Sequence, residues 1–379
     1  MRGKSRWVVT VAAFAALGGI VAGCGDSDSI GDSSTPAAAG LDVAGAQAEL
    51  DKFMAAPTFT APGAAVDAAA AKGKKVAIIP ASSNVPFVTT IADGMVKIGK
   101  EAGLDVSVFK NQGSPAEWTK GVSDAISKNV DSIDLLAGID PKAVSAQVTQ
   151  ATGADKKVIV THLYDVDQAV DPAVTAATNI PYKQAGKLLA DWVIAKTAGK
   201  ANVLVTTINQ VNSTVPMTEG IDEEFAAKCG DGCKVTKIDS TIADLGKLQQ
   251  QVQSALTGDP SINYVINLYD SAQGPQTEAA IKALGRDDLK IATFNGTPDI
   301  LKLITADSVI QMDVGENLEW IAYGAIDNHL RVLSGGEATA TPNIPIRVFD
   351  ATNVAESTAD GQGFGTAFRD EYKKLWGLK

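Results

Sequence analysis

From Lys75 onward, short apolar runs alternate with amphipathic stretches of helical length, and that alternation constrains the fold more than any single motif. The runs lie near 75–80, 106–109, 133–136, 157–161, 203–207, 235–238, 264–268 and 290–294. Strands separated by helical crossovers build parallel sheet with helices on both faces, and roughly 300 residues of such units exceed one core, so two lobes are expected. No sequence repeat accompanies the repeated architecture.

The first unit is the clearest. Lys75-Val76-Ala77-Ile78-Ile79-Pro80 breaks into a polar loop, Ala81-Ser82-Ser83-Asn84, and Pro86 opens a helix whose apolar positions include Val88, Ile91, Met95 and Ile98. Pro suits a first helical turn, and Gly103 closes the helix with a left-handed residue. Later helices start at Ser114-Pro115-Ala116-Glu117 and behind Asn179-Ile180-Pro181. Each loop at a strand's carboxyl end is a place where open parallel sheets bind ligands.

The chain begins with Arg2, Lys4 and Arg6 ahead of an apolar run from Trp7 to Ala22, then Val21-Ala22-Gly23-Cys24 and a polar turn. The run is shorter than the ~20 residues of a membrane span and reads as a secretory signal, residues 1–23. Small residues before Cys24 resemble the lipobox of bacterial lipoproteins, which implies cleavage there, lipidation of Cys24 and an extracytoplasmic protein anchored to the cell membrane. Residues 24–72, rich in Ala, Ser, Asp, Gly and Pro, read as a tether with one short helix at 43–55 and too little apolar periodicity for a core.

A formal net charge of −11 excludes nucleic-acid binding by counterion release. Beyond Cys24 only Cys229 and Cys233 remain, and two close cysteines in an exported chain point to a local disulfide. A metal site there has no histidine to complete it, because the chain holds only His162 and His329. Phosphate-loop, dinucleotide, zinc-protease and nucleophile-elbow motifs are all missing, so no cofactor or metal is expected. Asp222-Glu223-Glu224 reads as a solvated helix face, and a carboxylate glycosidase remains the enzymatic alternative.

Three stretches carry a family resemblance over 75–350: Asn84-Val85-Pro86-Phe87, then Phe294-Asn295-Gly296-Thr297-Pro298, then Gly315-Glu316-Asn317. In them the chain resembles the type I periplasmic substrate-binding proteins, the ribose-binding-like group that feeds ATP-driven importers. The resemblance implies an α/β protein of two doubly wound parallel-sheet lobes joined by three crossing segments, with a ligand cleft between them and closure by a hinge. Here the crossings fall near 175–179, 312–314 and 345–350. The first lobe is then 73–177 with 314–344, and the second is 178–313 with 345–379. The implied partners are a small-molecule ligand and a membrane permease, for a monomer. Two other roles stand beside this one: a receptor subunit reporting to a membrane sensor, and the effector domain of a repressor, which the signal segment disfavours.

Loops at strand ends supply the candidate ligand residues. The first lobe offers Ser83, Asn84, Phe87, Trp118, His162 and Tyr164; the second offers Asn209, Ser213, Tyr269, Asp270 and Asn295, with Asp313 and Glu316 near a crossing. Each has a structural alternative. Phe87 and Trp118 can pack on their own helices, His162 can be satisfied by backbone, Tyr269-Asp270 can cap a helix, and Asn295 can support the turn at Gly296. Asp313 and Glu316 can serve the hinge or the surface, and Asn209 and Ser213 can be solvated.

Sugar-binding relatives present arginines to ring hydroxyls from two loops that read Val160-Thr161-His162-Leu163-Tyr164 and Asn212-Ser213-Thr214-Val215-Pro216-Met217 here. Neither contains arginine, and none occurs between residues 7 and 285, so no guanidinium clamp is available. The aspartate that relatives carry before Gly-Thr-Pro is Asn295. Aromatics, amides and carboxylates without arginine suit a neutral polyol or sugar; Val215, Pro216 and Met217 would instead wall a more apolar ring compound.

Overall fold

The computed structural model describes residues 40–305, 307–339 and 344–378. The signal segment and the Cys24 lipidation site lie outside them, and no helix among the described residues is long and apolar enough to cross a membrane.

In chain order the elements are α1 (Val43–Phe53), β1 (Lys75–Pro80), α2 (Pro86–Glu101), β2 (Asp105–Val108), α3 (Pro115–Ser127), β3 (Ser132–Leu136), α4 (Ser145–Gly153), β4 (Lys157–Asp165), β5 (Ala176–Ile180) and α5 (Tyr182–Thr197). There follow β6 (Asn202–Thr207), α6 (Thr214–Lys228), β7 (Lys234–Asp239), α7 (Leu248–Gly258), β8 (Tyr264–Asn267), α8 (Asp270–Ala283), β9 (Lys290–Asn295), α9 (Pro298–Leu301), β10 (Ile310–Glu316), α10 (Leu318–Leu333), β11 (Ile346–Asp350) and α11 (Ala367–Leu375).

Two sheets result. The first runs β2-β1-β3-β4-β5, all parallel; the second runs β11-β10-β9-β8-β6-β7, parallel except for β11 against β10. Central strands such as β3 and β8 are buried throughout between two helical layers, polar Ser132, Asp134 and Asn267 included, whereas the edge strands β2 and β7 alternate with solvent. Local signals behave as the sequence implies. Ser114 caps α3 by accepting from the Glu117 N–H, Pro86 opens α2, and Gly103 takes φ +89° after it.

The strands at 176–180, 310–316 and 346–350 are full members of the sheets, where only crossing segments are expected from sequence. The lobe-to-lobe passages lie between β5 and α5, between β10 and α10, and ahead of β11. A further passage follows β11, because α11 packs on α10 over the first lobe. The tail beyond residue 350 therefore leaves the second lobe, against the expected grouping of 345–379.

The expected tether is also corrected. From residue 40 the chain is docked rather than free. Ala46 and Leu50 of α1 are buried against α5 and α6, and the Asp42 N–H donates to the Lys228 carbonyl. The Met54 carbonyl accepts from Arg347 Nε at 2.9 Å beside β11. Phe59 then stacks on Trp320 and Tyr372, the Ala64 carbonyl accepts from Arg331 at 2.8 Å, and the Val66 N–H donates to the Leu375 carbonyl. Residues 41–54 thus grip the second lobe and 59–71 the first. The cause lies in α10, in which 14 of 16 residues are buried. A helix buried all round needs cover on its outer side, and α11 with the docked segment supplies it.

Most buried polar side chains along α10 are paired, the Trp320 indole N–H being without a partner among the described residues. Asp327 holds Arg331 and the Trp376 indole, and His329 sits between Ser132 and Asp134 at 2.8 and 3.0 Å. Cys229 and Cys233 form a disulfide with Cα atoms 5.7 Å apart, closing the turn after α6.

Candidate functional site

The carboxyl ends of the two sheets face each other across a partly open cavity of about 60 Å³. At 10–15 Å³ per water this holds about four to six waters, the scale of a small solute. Three of its walls come from strand ends with positive φ: Ala137 after β3 (+61°), His162 in β4 (+62°) and Asn295 ending β9 (+132°). Non-glycine residues there are strained, and such strain collects where a side chain must be aimed. For His162 the cause is a break in the β4–β5 register between Thr161 and Asp165, which frees the bulged residue to turn into the cavity. For Asn295 it is the turn at Gly296, whose φ is +74° and whose added Cβ would sit 2.7 Å from the Glu316 carbonyl oxygen.

Five expected residues meet in this cavity: Phe87 and His162 from the first lobe, with Ser213, Tyr269 and Asn295 from the second. Phe87 packs on His162 with ring centroids 4.8 Å apart. The Tyr269 hydroxyl hydrogen-bonds the Ser213 and Thr214 hydroxyls at 2.9 and 2.8 Å, and burial pushes its phenol up to about 12.

Three expected carboxylates lie directly behind the wall. Glu316 accepts from His162 Nε2 at 2.8 Å and more weakly from Asn295 Nδ2 at 3.4 Å, leaving Oε1 without a protein partner. Asp270 accepts from the Thr297 N–H and hydroxyl, each at 2.6 Å, and Asp313 accepts from the Gly296 N–H at 2.9 Å. Burial raises both aspartates, Asp270 to about 7 and Asp313 well above the carboxylate range, with neighbouring Asp270 adding repulsion to Asp313. Their role in the geometry is to hold the Asn295-Gly296-Thr297 turn.

The other expected residues do not reach the cavity. Trp118 donates its indole N–H to the Ala81 carbonyl and packs in the first lobe's core, where Tyr164 lies too. Ser83 Oγ accepts from the Asn111 N–H, Asn84 is exposed and bonded to Gln112, and Asn209 is an exposed loop residue whose N–H is held by Asp239. Val215 is 54% exposed, and Pro216 and Met217 are buried in α6, so the expected apolar wall does not form from them.

An apolar wall forms elsewhere, from Val85 and Val88 beside Phe87, from Ile208 and Val211 after β6, and from Ile242 and Leu245 after β7. None of these six is among the candidates the sequence offers: the first four follow strand ends without a polar signal, and Ile242 and Leu245 sit on a 3-10 turn that carries no motif. Tyr182, the first residue of α5, packs edge-on to His162 and is wholly buried with no partner for its hydroxyl, and burial raises its phenol well above the ordinary range. Among the described residues no lysine or arginine lines the cavity, and no group of three or more His, Cys, Asp or Glu side chains is placed to hold a metal.

The lobes touch around the cavity. Asn212 Nδ2 of the second donates to Asp140 of the first at 3.1 Å, and Val211 lies against Gly138. The cleft is closed.

Comparison with known proteins agrees with this architecture. The periplasmic binding protein domain family matches residues 76–337. The ribose import binding protein RbsB of Escherichia coli (strain K12) is 23% identical over 303 residues, covering 79% of this chain and 98% of that protein. RbsB of Bacillus subtilis (strain 168) is 25% identical over 266 residues, 70% of this chain and 83% of that one. A solute-binding protein of an ABC transporter from Agrobacterium vitis, solved with bound allitol, superposes with TM-score 0.68 at 20% identity over 76% of this chain and 98% of that one. A 5-methylthioribose transporter solute-binding protein from Thermotoga lettingae, solved with 5-methylthioribose, superposes with TM-score 0.69 at 16% identity over 80% and 96%.

Proposed function

The chain belongs to the periplasmic binding protein family, and from that premise we propose that it captures a small neutral polyol or sugar between its lobes and hands it to the permease of an ABC importer. The observation that carries the reading is the inter-lobe cavity, where His162, Asn295, Ser213 and Tyr269 supply hydrogen-bonding groups and, among the described residues, no lysine or arginine is present. Such a site accepts hydroxyls as donors and acceptors but offers no clamp to a carboxylate or phosphate. The polyol and pentose derivative held by the Agrobacterium vitis and Thermotoga lettingae proteins are of this class.

Closure follows from differential contact. A ligand touching both walls favours the closed arrangement by the contacts it makes only there. We assign ligand contact to Phe87, His162, Ser213, Tyr269 and Asn295, and support of the Asn295 turn to Asp270, Asp313 and Glu316. A glycosidase draws less support, because all three carboxylates are tied to Thr297, Gly296 and His162 behind the wall.

The reading is tested by titrating the purified protein with D-ribose, allitol, xylitol and glycerol while following its melting temperature. A ligand at 100 times its Kd stabilises by about 2.7 kcal/mol, a shift of several degrees. Asn295→Ala should weaken that ligand by about tenfold or more, and its recovery chemically unchanged separates binding from turnover. A melting curve indifferent to the whole set ends the proposal. The lipid anchor is part of the same reading, resting on the residues before Cys24. Mass spectrometry of the amino-terminal peptide, and release of a Cys24→Ala protein from membranes, test it.

A further inference from the structure

We infer that the cavity is chemically graded from the hinge to its far end, and that it selects a hydroxylated solute carrying an apolar substituent, such as a deoxy or alkyl carbon, seated beneath Ile242 and Leu245. The inference deepens the sugar-or-polyol reading and rests on it.

Strand order sets the grading. The chain passes between lobes beside β5, β10 and β11, so β4 and β5 of the first sheet and β9 to β11 of the second lie at the hinge. The opposite edges, β2-β1 and β6-β7, form the far end. Two cross-lobe contacts fix this alignment: His162 of β4 meets Glu316 of β10, and Gly113 after β2 meets Ile242 after β7, whose Cγ2 would lie 3.3 Å from an added Cβ.

Polar capacity follows the same axis. At the hinge end stand His162 and Asn295, held from behind by Glu316. At the far end stand Ala81, Val211, Ile242 and Leu245. Ser82 and Ser213 are the polar side chains nearest that end, and both are engaged: the Ser82 hydroxyl donates to the Gln112 carbonyl and accepts from the Asn84 N–H, both at 3.2 Å, and the Ser213 hydroxyl is hydrogen-bonded to that of Tyr269 at 2.9 Å. Beneath Ile242 and Leu245 themselves a ligand hydroxyl would lose water against two hydrocarbon side chains, whereas a methyl or methylene would gain contact.

The turn carrying the two apolar residues is built independently of any ligand. Thr241 accepts from the Asp244 N–H at 3.1 Å and donates to the Asp244 carboxylate at 2.9 Å, Lys247 adds a 2.7 Å bond to that carboxylate, and the Ile242 N–H donates to Gln210 at 2.9 Å. Ile242 also packs against the first lobe's core, so closing the cleft sets it in place.

Calorimetric titration with two matched pairs tests the inference: D-ribose with 5-deoxy-D-ribose, and D-galactose with D-fucose. One member of the deoxy kind should bind its site about tenfold or more tighter than its hydroxylated partner, the range one methylene-sized contact supplies. Ile242→Thr and Leu245→Asn, each on a half-buried surface turn, should each reduce that preference to within about twofold. Parent sugars binding as tightly as their deoxy partners, or a preference that survives both substitutions, overturns the inference and leaves the sugar reading standing. If no member of either pair and none of the polyols binds, the sugar reading falls and this inference falls with it.

Discussion

His162 of the first lobe and Glu316 of the second meet at 2.8 Å inside the closed cleft, both almost fully buried. The bond joins the bulge of β4 to the last residue of β10, so it exists only while the lobes are together.

Removing one partner of such a buried hydrogen bond strands the other, at a cost of about 1–3 kcal/mol when no water can reach it. Opening the cleft relieves that cost, so Glu316→Ala should open the protein rather than unfold it. Small-angle scattering should show a larger radius of gyration than the parent at neutral pH, with helix content retained. An unchanged scattering curve would mean that other contacts hold the lobes.

The buried aspartates behind Asn295 make stability depend on pH. Burial raises Asp270 from 3.8 to about 7 and Asp313 in the same direction. A carboxyl that binds its proton more tightly when folded stabilises most below its unfolded pKa, and that contribution is lost as pH rises through the folded value. Thermal stability should therefore decline between about pH 4 and pH 7 on their account. Asp313→Asn keeps an oxygen for the Gly296 N–H and replaces the unpartnered Oδ2 with an uncharged group. It should gain about 1–2 kcal/mol at pH 8 in urea unfolding and flatten the slope. A steeper slope in Asp313→Asn would count against this account.

The docked segment ahead of β1 should contribute to global stability. Leu50 is 1% exposed, and Leu50→Ala should cost about 2–4 kcal/mol; Phe59→Ala, half-buried against Trp320 and Tyr372, should cost about 1.5–3 kcal/mol. Both are read from urea midpoints. Midpoints equal to the parent's would return residues 40–72 to the status of a free tether.

The Cys229–Cys233 bridge closes so short a loop that the chain-entropy estimate is about 2 kcal/mol. A double Cys229→Ala, Cys233→Ala protein should lose no more than that in urea unfolding and should keep the parent's response to any ligand, since the bridge lies after α6, remote from the cavity. A loss of binding would place the bridge in the path of closure.

Much of the fold is legible because parallel strands buried on both faces must be written as unbroken apolar runs, as at 75–80 and 264–267. The strands at 176–180 and 310–316 carry Thr178, Asn179, Gln311 and Asp313, so their apolar runs are broken; Thr178 accepts from Asn328 of α10 and Asp313 from the Gly296 N–H. The site is half legible for a related reason. Strand-end position points to Phe87, His162 and Asn295, but whether a side chain at that end turns inward depends on a backbone bulge, as at His162, or on a hydrogen bond, as with Trp118 to Ala81. Ile242 and Leu245 reach the cavity only because β7 is the edge strand, a fact of strand order that no local spacing records.

Shared ancestry and shared packing give this chain two different beginnings. The family match starts at residue 76, yet α10 is covered on its outer side from Phe59 onward, and α5 is covered by α1 earlier still. A protein cut at the family's boundary would keep every residue of the cleft and still present Trp320, Tyr372 and the face of α5 that receives Leu50 to water. Such a truncation would be judged sticky or poorly folded for reasons unconnected with its ligand. A shortened version that keeps this cover begins near Leu41, ahead of α1, whose cap residue Asp42 donates its N–H to the Lys228 carbonyl.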